Sequence, residues 1–94
     1  MEIQGKVYAI SEEQQISEKF KKREFVIKTD HEYRPFVKME LQNKYCDAFE
    51  KYGIDIGDNV EVSFNLEGRE HINKSDGEVR YYTNIIAWKI MTDG

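Results

Sequence analysis

Ninety-four residues make about one small domain, and a chain of this length buries only about 60–65% of its unfolded surface, which excludes a deep catalytic cleft between two lobes. Apolar residues form 39% of the chain, aromatics 13% and charged residues 34%, a globular rather than a disordered balance. The net charge of −4 excludes a uniformly basic surface, but it is an average over two unlike parts. Between Lys19 and Lys38, Lys19, Lys21, Lys22, Arg23, Lys28, Arg34 and Lys38 face only Glu24, Asp30 and Glu32, a local +4 that leaves −8 for the rest.

Residues 2–10 read as a strand. Ile3, Val7 and Ala9 point one way and Gln4, Lys6 and Tyr8 the other, the period of a half-buried strand. Gly5 inside it marks a bulge or a bend. Residues 11–22 have no clean period and read as a mobile polar loop. The second strand spans 23–29, and Asp30-His31-Glu32-Tyr33-Arg34 connects it to a third over 35–42. Pro35 stands at that strand's first residue, where a missing N–H does least harm. Phe36, Lys38 and Glu40 share one of its faces, with Val37, Met39 and Leu41 on the other.

The period then changes. Tyr45, Ala48, Phe49 and Tyr52 stand at i, i+3, i+4 and i+7, which predicts an amphipathic helix over about 44–52, with Asn43 as N-cap and Gly53 just beyond its end. A fourth strand over 58–71 alternates Val60, Val62, Phe64 and Leu66 against polar residues, and Gly68 predicts a second bulge. Lys74-Ser75-Asp76-Gly77 is a turn cluster, so the fifth strand, 80–90, forms a hairpin with the fourth. It is apolar on both faces (Tyr82, Ile86, Trp88 and Ile90 against Tyr81, Ile85 and Ala87), which predicts cover by another part of the chain or by another subunit and supports a homodimer or higher oligomer. Three strands, one helix and two strands, with glycines at bends, are the order of the OB-fold barrel. The expected fold is therefore all-β: one OB-fold domain over 1–94, closed so that no sheet edge is left open.

These residues also carry a resemblance. Gly57-Asp58-Asn59-Val60-Glu61-Val62 with Leu66, Arg69, Gly77, Arg80-Tyr81, Thr83 and Ile85 resembles the last two strands of bacterial single-stranded-DNA-binding proteins. The opening Met1-Glu2-Ile3-Gln4-Gly5-Lys6 and the ending Asn84-Ile85-Ile86-Ala87-Trp88-Lys89 are similar to a family of short bacterial OB-domain proteins of unknown function. The first resemblance implies stacking aromatics on the third strand and in the loop between strands four and five. Phe36 matches one such position. Gln42 and His71 stand at the others, and Met91-Thr92-Asp93-Gly94 is no acidic tail of the kind those binders carry.

Enzyme chemistry finds no foothold. Cys46 is a lone cysteine, which cannot form an internal disulfide, and it lies in the expected helix, where a packed, inert thiol is expected. His31 and His71 are the only imidazoles, too few with Cys46 for a structural zinc site. Glu12-Glu13 reads as a solvated pair, and there is no phosphate-loop or dinucleotide spacing. No metal or cofactor is expected. Binding of a single strand, by contrast, needs cations to follow phosphates and aromatic faces to stack bases. Lys19, Phe20, Lys21, Lys22 and Arg23 interleave the two, Arg34 lies in the next connection, and Phe36 and Lys38 share a face of the adjacent strand. The expected ligand is single-stranded nucleic acid, DNA in preference to RNA, bound without catalysis by a homodimer or higher homo-oligomer. The alternative is a protein-interaction or assembly module on the same scaffold. With no signal-peptide pattern and no apolar run near the roughly 20 residues of a membrane span, the expected setting is the cytoplasm, with no membrane partner.

Overall fold

The computed structural model describes residues 1–92, so Asp93 and Gly94, which the tail and domain readings above include, lie outside the described residues. The chain order is β1 (Glu2–Ile10), β2 (Gln14–Ser17), β3 (Phe20–Lys28), β4 (Phe36–Gln42), a 3-10 turn (Asn43–Tyr45), α1 (Ala48–Tyr52), β5 (Asn59–Ile72) and β6 (Val79–Thr92). Pairing runs β1-β5-β6-β4-β3, and β1 pairs β3 as well, which closes a ring of five strands. This is an OB-fold barrel, with β2 added outside the ring along β3.

Closure depends on β1 serving two neighbours. Its first half, Glu2 to Lys6, pairs with β5, and its second half, Lys6 to Ile10, with β3. Gly5 stands where the partner changes. Its pairing is regular, and the register shift falls instead between Val7 and Ala9. What requires glycine is crowding: a Cβ here would lie 2.9 Å from the Lys28 carbonyl oxygen. Gly68 is likewise no bulge. It pairs in register with Thr83, and the irregularity in β5 lies between Ser63 and Phe64.

Alternation sends Val7, Phe25, Ile27, Met39, Leu41, Val60, Val62, Ala87 and Ile90 into the barrel, where each is almost fully buried. The base is stopped by Cys46, Ala48, Phe49 and Ile54. Phe49 meets Phe25 edge to face with centroids 5.1 Å apart, a favoured aromatic geometry. The plug is shorter than the periodicity predicts. Only Ala48 and Phe49 of that face are buried, while Tyr45 and Tyr52 stay exposed. Asn43 is not the cap of α1, which begins after Asp47. It takes a positive φ of 49°, a region asparagine tolerates, and its Oδ1 accepts the Lys21 N–H at 3.2 Å. Gly53 ends α1 in the left-handed conformation.

Two features depart from the predicted architecture. The polar segment read as a mobile loop contains β2, whose Gln14 and Gln15 pair with Lys22 and Lys21, so β3 begins at Phe20 rather than Arg23. Every residue of β2 is exposed, so no apolar alternation betrays it. The β5–β6 hairpin also runs far past the barrel mouth. Residues 65–84 form a two-stranded arm exposed along nearly its whole length. The arm stretches the molecule to 51 × 37 × 20 Å and a radius of gyration of 15.0 Å, against about 12–13 Å for a compact chain of this size.

Candidate nucleic-acid interface

The outer face of β1, β3 and β4 is set by strand register. Lys6 lies opposite Lys28, and Lys28 opposite Phe36, so the three form one row across the sheet. Like charges directly opposite each other on neighbouring strands are destabilising. No carboxylate among the described residues lies within ion-pair distance of either lysine. The Lys28 ammonium stands 5.9 Å from the centre of the Phe36 ring. Tyr8, at the irregularity in β1, brings its ring 4.8 Å from that of Phe36 at a tilt of 59°. Both rings are more than half exposed, an apolar pair open to solvent beside two unpaired cations.

An open groove of about 980 Å³ borders this row, and Lys6, Lys28, His31 and Arg34 line it with Glu2 and Asp30 among the acidic neighbours. The connection between β3 and β4 is folded by its own polar groups. Thr29 donates its N–H to Pro35 O at 2.8 Å, and His31 Nδ1 accepts the N–H groups of Tyr33 and Arg34 at 3.3 and 3.0 Å. Arg34 is thereby presented at the groove's edge rather than on a free loop.

Alternation divides the predicted cluster of Lys19, Phe20, Lys21, Lys22, Arg23, Arg34, Phe36 and Lys38. Lys22 lies on the outer face with Phe36 and Lys38, opposite Gln42. Lys22 reaches Glu40 at 3.8 Å and Lys38 reaches Glu24 at 3.3 Å, so these two cations are partly neutralised. Lys21 bonds Glu13 at 2.8 Å, and that hydrogen bond raises its pKa. Arg23 points the other way, opposite the buried Leu41. It donates to Ser11 O at 2.8 Å, to Cys46 O at 3.3 Å and to both carboxylate oxygens of Glu50 at 2.7 and 2.9 Å, with its guanidinium carbon 5.6 Å from the centre of the Phe49 ring. That is a fastening between β3 and the base of the barrel. Half-buried Phe20 opens β3, and exposed Lys19 sits in the turn before it.

The sequence reading left Tyr8, Lys6 and Lys28 out of the site. Their signal was present in the outward alternation of the first strand and in the excess of lysine, but only the β1–β3 register brings them together. A second set lies on the arm. Glu40 of β4 is level with Ile86 of β6, so the outer face of β4 continues onto the face of the arm that carries Asn84, Tyr82 and Arg80 opposite Glu67, Arg69 and His71. Arg69, His71, Tyr82 and Asn84 line a shallow groove of about 330 Å³ there.

The remaining chemistry is quiet. Cys46 is buried, its Sγ–H directed at Leu41 O at 3.4 Å, and burial pushes its thiol pKa up, away from the reactive thiolate. Among the described residues no three His, Cys, Asp or Glu side chains gather as a metal-binding set, and no helix is long and apolar enough to cross a membrane.

Fold and face together define an OB-fold barrel with aromatics and unpaired cations on the outside of β1, β3 and β4. Residues 2–91 match the family described as domain of unknown function DUF3127, and the chain belongs to that family. No curated protein matches the sequence. Among solved structures, the chain is similar to the mitochondrial single-stranded DNA-binding protein Rim1 of S. cerevisiae, with a TM-score of 0.70 and 15% identity over 98% of this chain and 91% of that one. It is also similar to the small single-stranded DNA-binding protein of Streptomyces coelicolor, with a TM-score of 0.55 and 14% identity over 99% of this chain and 92% of that one. At such identities the likeness is one of fold.

Proposed function

We propose that this protein binds single-stranded nucleic acid, DNA in preference to RNA, on the outer face of β1, β3 and β4 and onward along the outer face of the arm. The observation that carries the reading is the row Lys6, Lys28 and Phe36, with Tyr8 against Phe36. Opposed lysines with no counter-ion among the described residues are a local strain that a phosphate relieves, and the two exposed rings offer bases a stacking surface. Arg34, Lys38, Lys22 and Lys19 extend the cationic track, with Phe20 beside it, while Tyr82, Arg69 and His71 repeat the combination on the arm. Lys21 and Arg23, occupied by Glu13 and Glu50, contribute to the field rather than as direct phosphate ligands. The two structural neighbours, both single-stranded DNA-binding proteins by description, support DNA as the ligand. The protein acts without catalysis or cofactor, as two or more copies, in the cytoplasm, in a process such as replication or repair.

The test is a fluorescence titration with labelled oligo-dT and a matched duplex. With about 3–5 phosphates neutralised, the log–log salt slope for the single strand is expected at roughly −2 to −3.5, with weak binding to the duplex. Equal affinity for both strands' forms, or a slope near zero, would contradict the reading. A second reading, an assembly module for protein partners, draws on the net charge of −4 and the exposed apolar side chains of the arm. No oligonucleotide binding even at about 20 mM salt would select it.

A further inference from the structure

The face of the arm opposite to Tyr82 and Arg69 is uncovered and carries large apolar side chains at both ends, with Glu70 and Thr83 between them. Four cross-strand pairs form it: Leu66 with Ile85, Gly68 with Thr83, Glu70 with Tyr81, and Ile72 with Val79. It continues the interior face of the barrel wall, since Phe64 and Ile85 pack against the core at its root. Beyond the root, Leu66, Ile72, Val79 and Tyr81 are exposed, Tyr81 by 74%. A lone two-stranded ribbon is marginally stable in water, and an uncovered apolar face on it marks a contact surface.

Gly68 stands in the middle of this face with no reason in the single chain. It is absent from the glycines of positive φ, it pairs in register, and a Cβ on it would meet nothing within 4 Å. Glycine within a strand weakens it and often marks a place where another backbone or ligand comes close.

We propose that the protein self-associates through this face, the arms of two copies packing antiparallel about a two-fold axis that passes level with residue 69. The pattern is complementary to itself in that register. Ile72 and Val79 of one arm fall over Leu66 and Ile85 of the other, and Glu70 and Tyr81 over Gly68 and Thr83. The missing Cβ of Gly68 leaves room for the Glu70 stem of the other arm, with the Tyr81 ring beside it over Thr83. A two-fold pairing of one patch with itself closes at the dimer and does not propagate. The ribbon face is roughly 20 Å long and buries on the order of 450 Å² per copy, the small end of specific interfaces, so the dimer forms in a concentration-dependent manner. The outer face of the arm, with Tyr82 and Arg69, stays open. The inference is independent of whether nucleic acid binds there.

Sedimentation velocity of the full chain from about 5 to 200 µM tests it, because mass action moves a weak dimer across that range. The wild type is expected to pass from monomer to dimer. Gly68→Val adds a strand-favouring side chain where the monomer has space, so its thermal unfolding midpoint stays level or rises, while self-association weakens roughly 10- to 100-fold by overpacking. Tyr81→Ser, which cannot overpack, is expected to weaken it as well and decides the matter if Gly68→Val does not fold. A wild type that stays monomeric throughout, or a Gly68→Val protein that dimerises as the wild type does and a Tyr81→Ser protein likewise, overturns the proposal.

Discussion

Phe36 and Lys28 are neighbours in one row but serve different parts of the proposed interaction, and their variants separate those parts. Loss of a stacked base costs about 1–3 kcal/mol, so Phe36→Ala is expected to weaken oligo-dT binding by that amount and leave the salt slope unchanged. Lys28→Gln is expected to make the slope shallower by about 0.7, one phosphate contact fewer. Titrations at four or more salt concentrations read both quantities from the same curves. Arg23 belongs to a different account. Its guanidinium is engaged by two carbonyl oxygens and a carboxylate, so Arg23→Ala is expected to cost about 1–3 kcal/mol in urea unfolding through lost charged hydrogen bonds, with little effect on the slope. The pair has a defined pH dependence. The hydrogen bond from Arg23 holds the Glu50 carboxyl below its ordinary value, so its contribution is complete above about pH 4.3 and is lost as the pH falls through the lowered value. The stability difference between wild type and Glu50→Gln should therefore be largest near neutrality and close in acid, as urea midpoints between pH 7 and pH 3 would reveal. Because Glu50 is mostly exposed, that difference is small.

At the scale of elements, β1 is the strand on which the barrel depends, since it alone pairs with both β3 and β5 to close the ring. Gly5→Ala places a methyl group 2.9 Å from a backbone oxygen that cannot swing aside. The expected cost is about 1–3 kcal/mol, visible as a lower midpoint in urea, and a wild-type midpoint would show that β1 and β3 separate more easily than their register implies. This also explains why the glycine was legible and its role was not. A glycine in a strand signals some departure, but a bulge, a bend and a close approach look the same in one dimension. For Gly5 the tertiary crossing decides, and for Gly68 the monomer supplies no reason at all. β2 was invisible for a related cause: an edge strand with all four residues exposed has no buried face to impose a period of two.

For the whole molecule, the division between barrel and arm makes a prediction of its own. The core lies wholly within the barrel, so replacing residues 68–83 by a two-residue Asn-Gly turn between the paired Glu67 and Asn84 should leave cooperative thermal unfolding intact. The same change removes Tyr82, Arg69 and His71, and oligo-dT affinity should fall while the barrel face still binds. Unaltered affinity in the shortened protein would confine the interface to β1, β3 and β4. An acidic net charge is compatible with the proposed anionic ligand. Net charge is summed over the molecule, whereas the proposed ligand meets one face, and Lys6 and Lys28, unpaired among the described residues, sit on that face while Glu13, Glu24, Glu40 and Glu50 are engaged in ion pairs.

Alternation and turn chemistry in the sequence determined the five barrel strands, the helix before the last two, and the OB-fold order, because each of these is a local pattern repeated along the chain. The same patterns put Phe36 and Lys38 on one outward face of a strand, Arg34 in the connection before it, and Cys46 in the packed segment before the last two strands. They did not assign Arg23 and Lys21, which look like members of a basic run until the start of β3 at Phe20 fixes which way each residue points. Nor did they join Tyr8 and Lys6 to Lys28 and Phe36, which lie from 20 to 30 residues further along the chain. That assembly is decided by the register between strands, and register follows from which apolar faces must share one core.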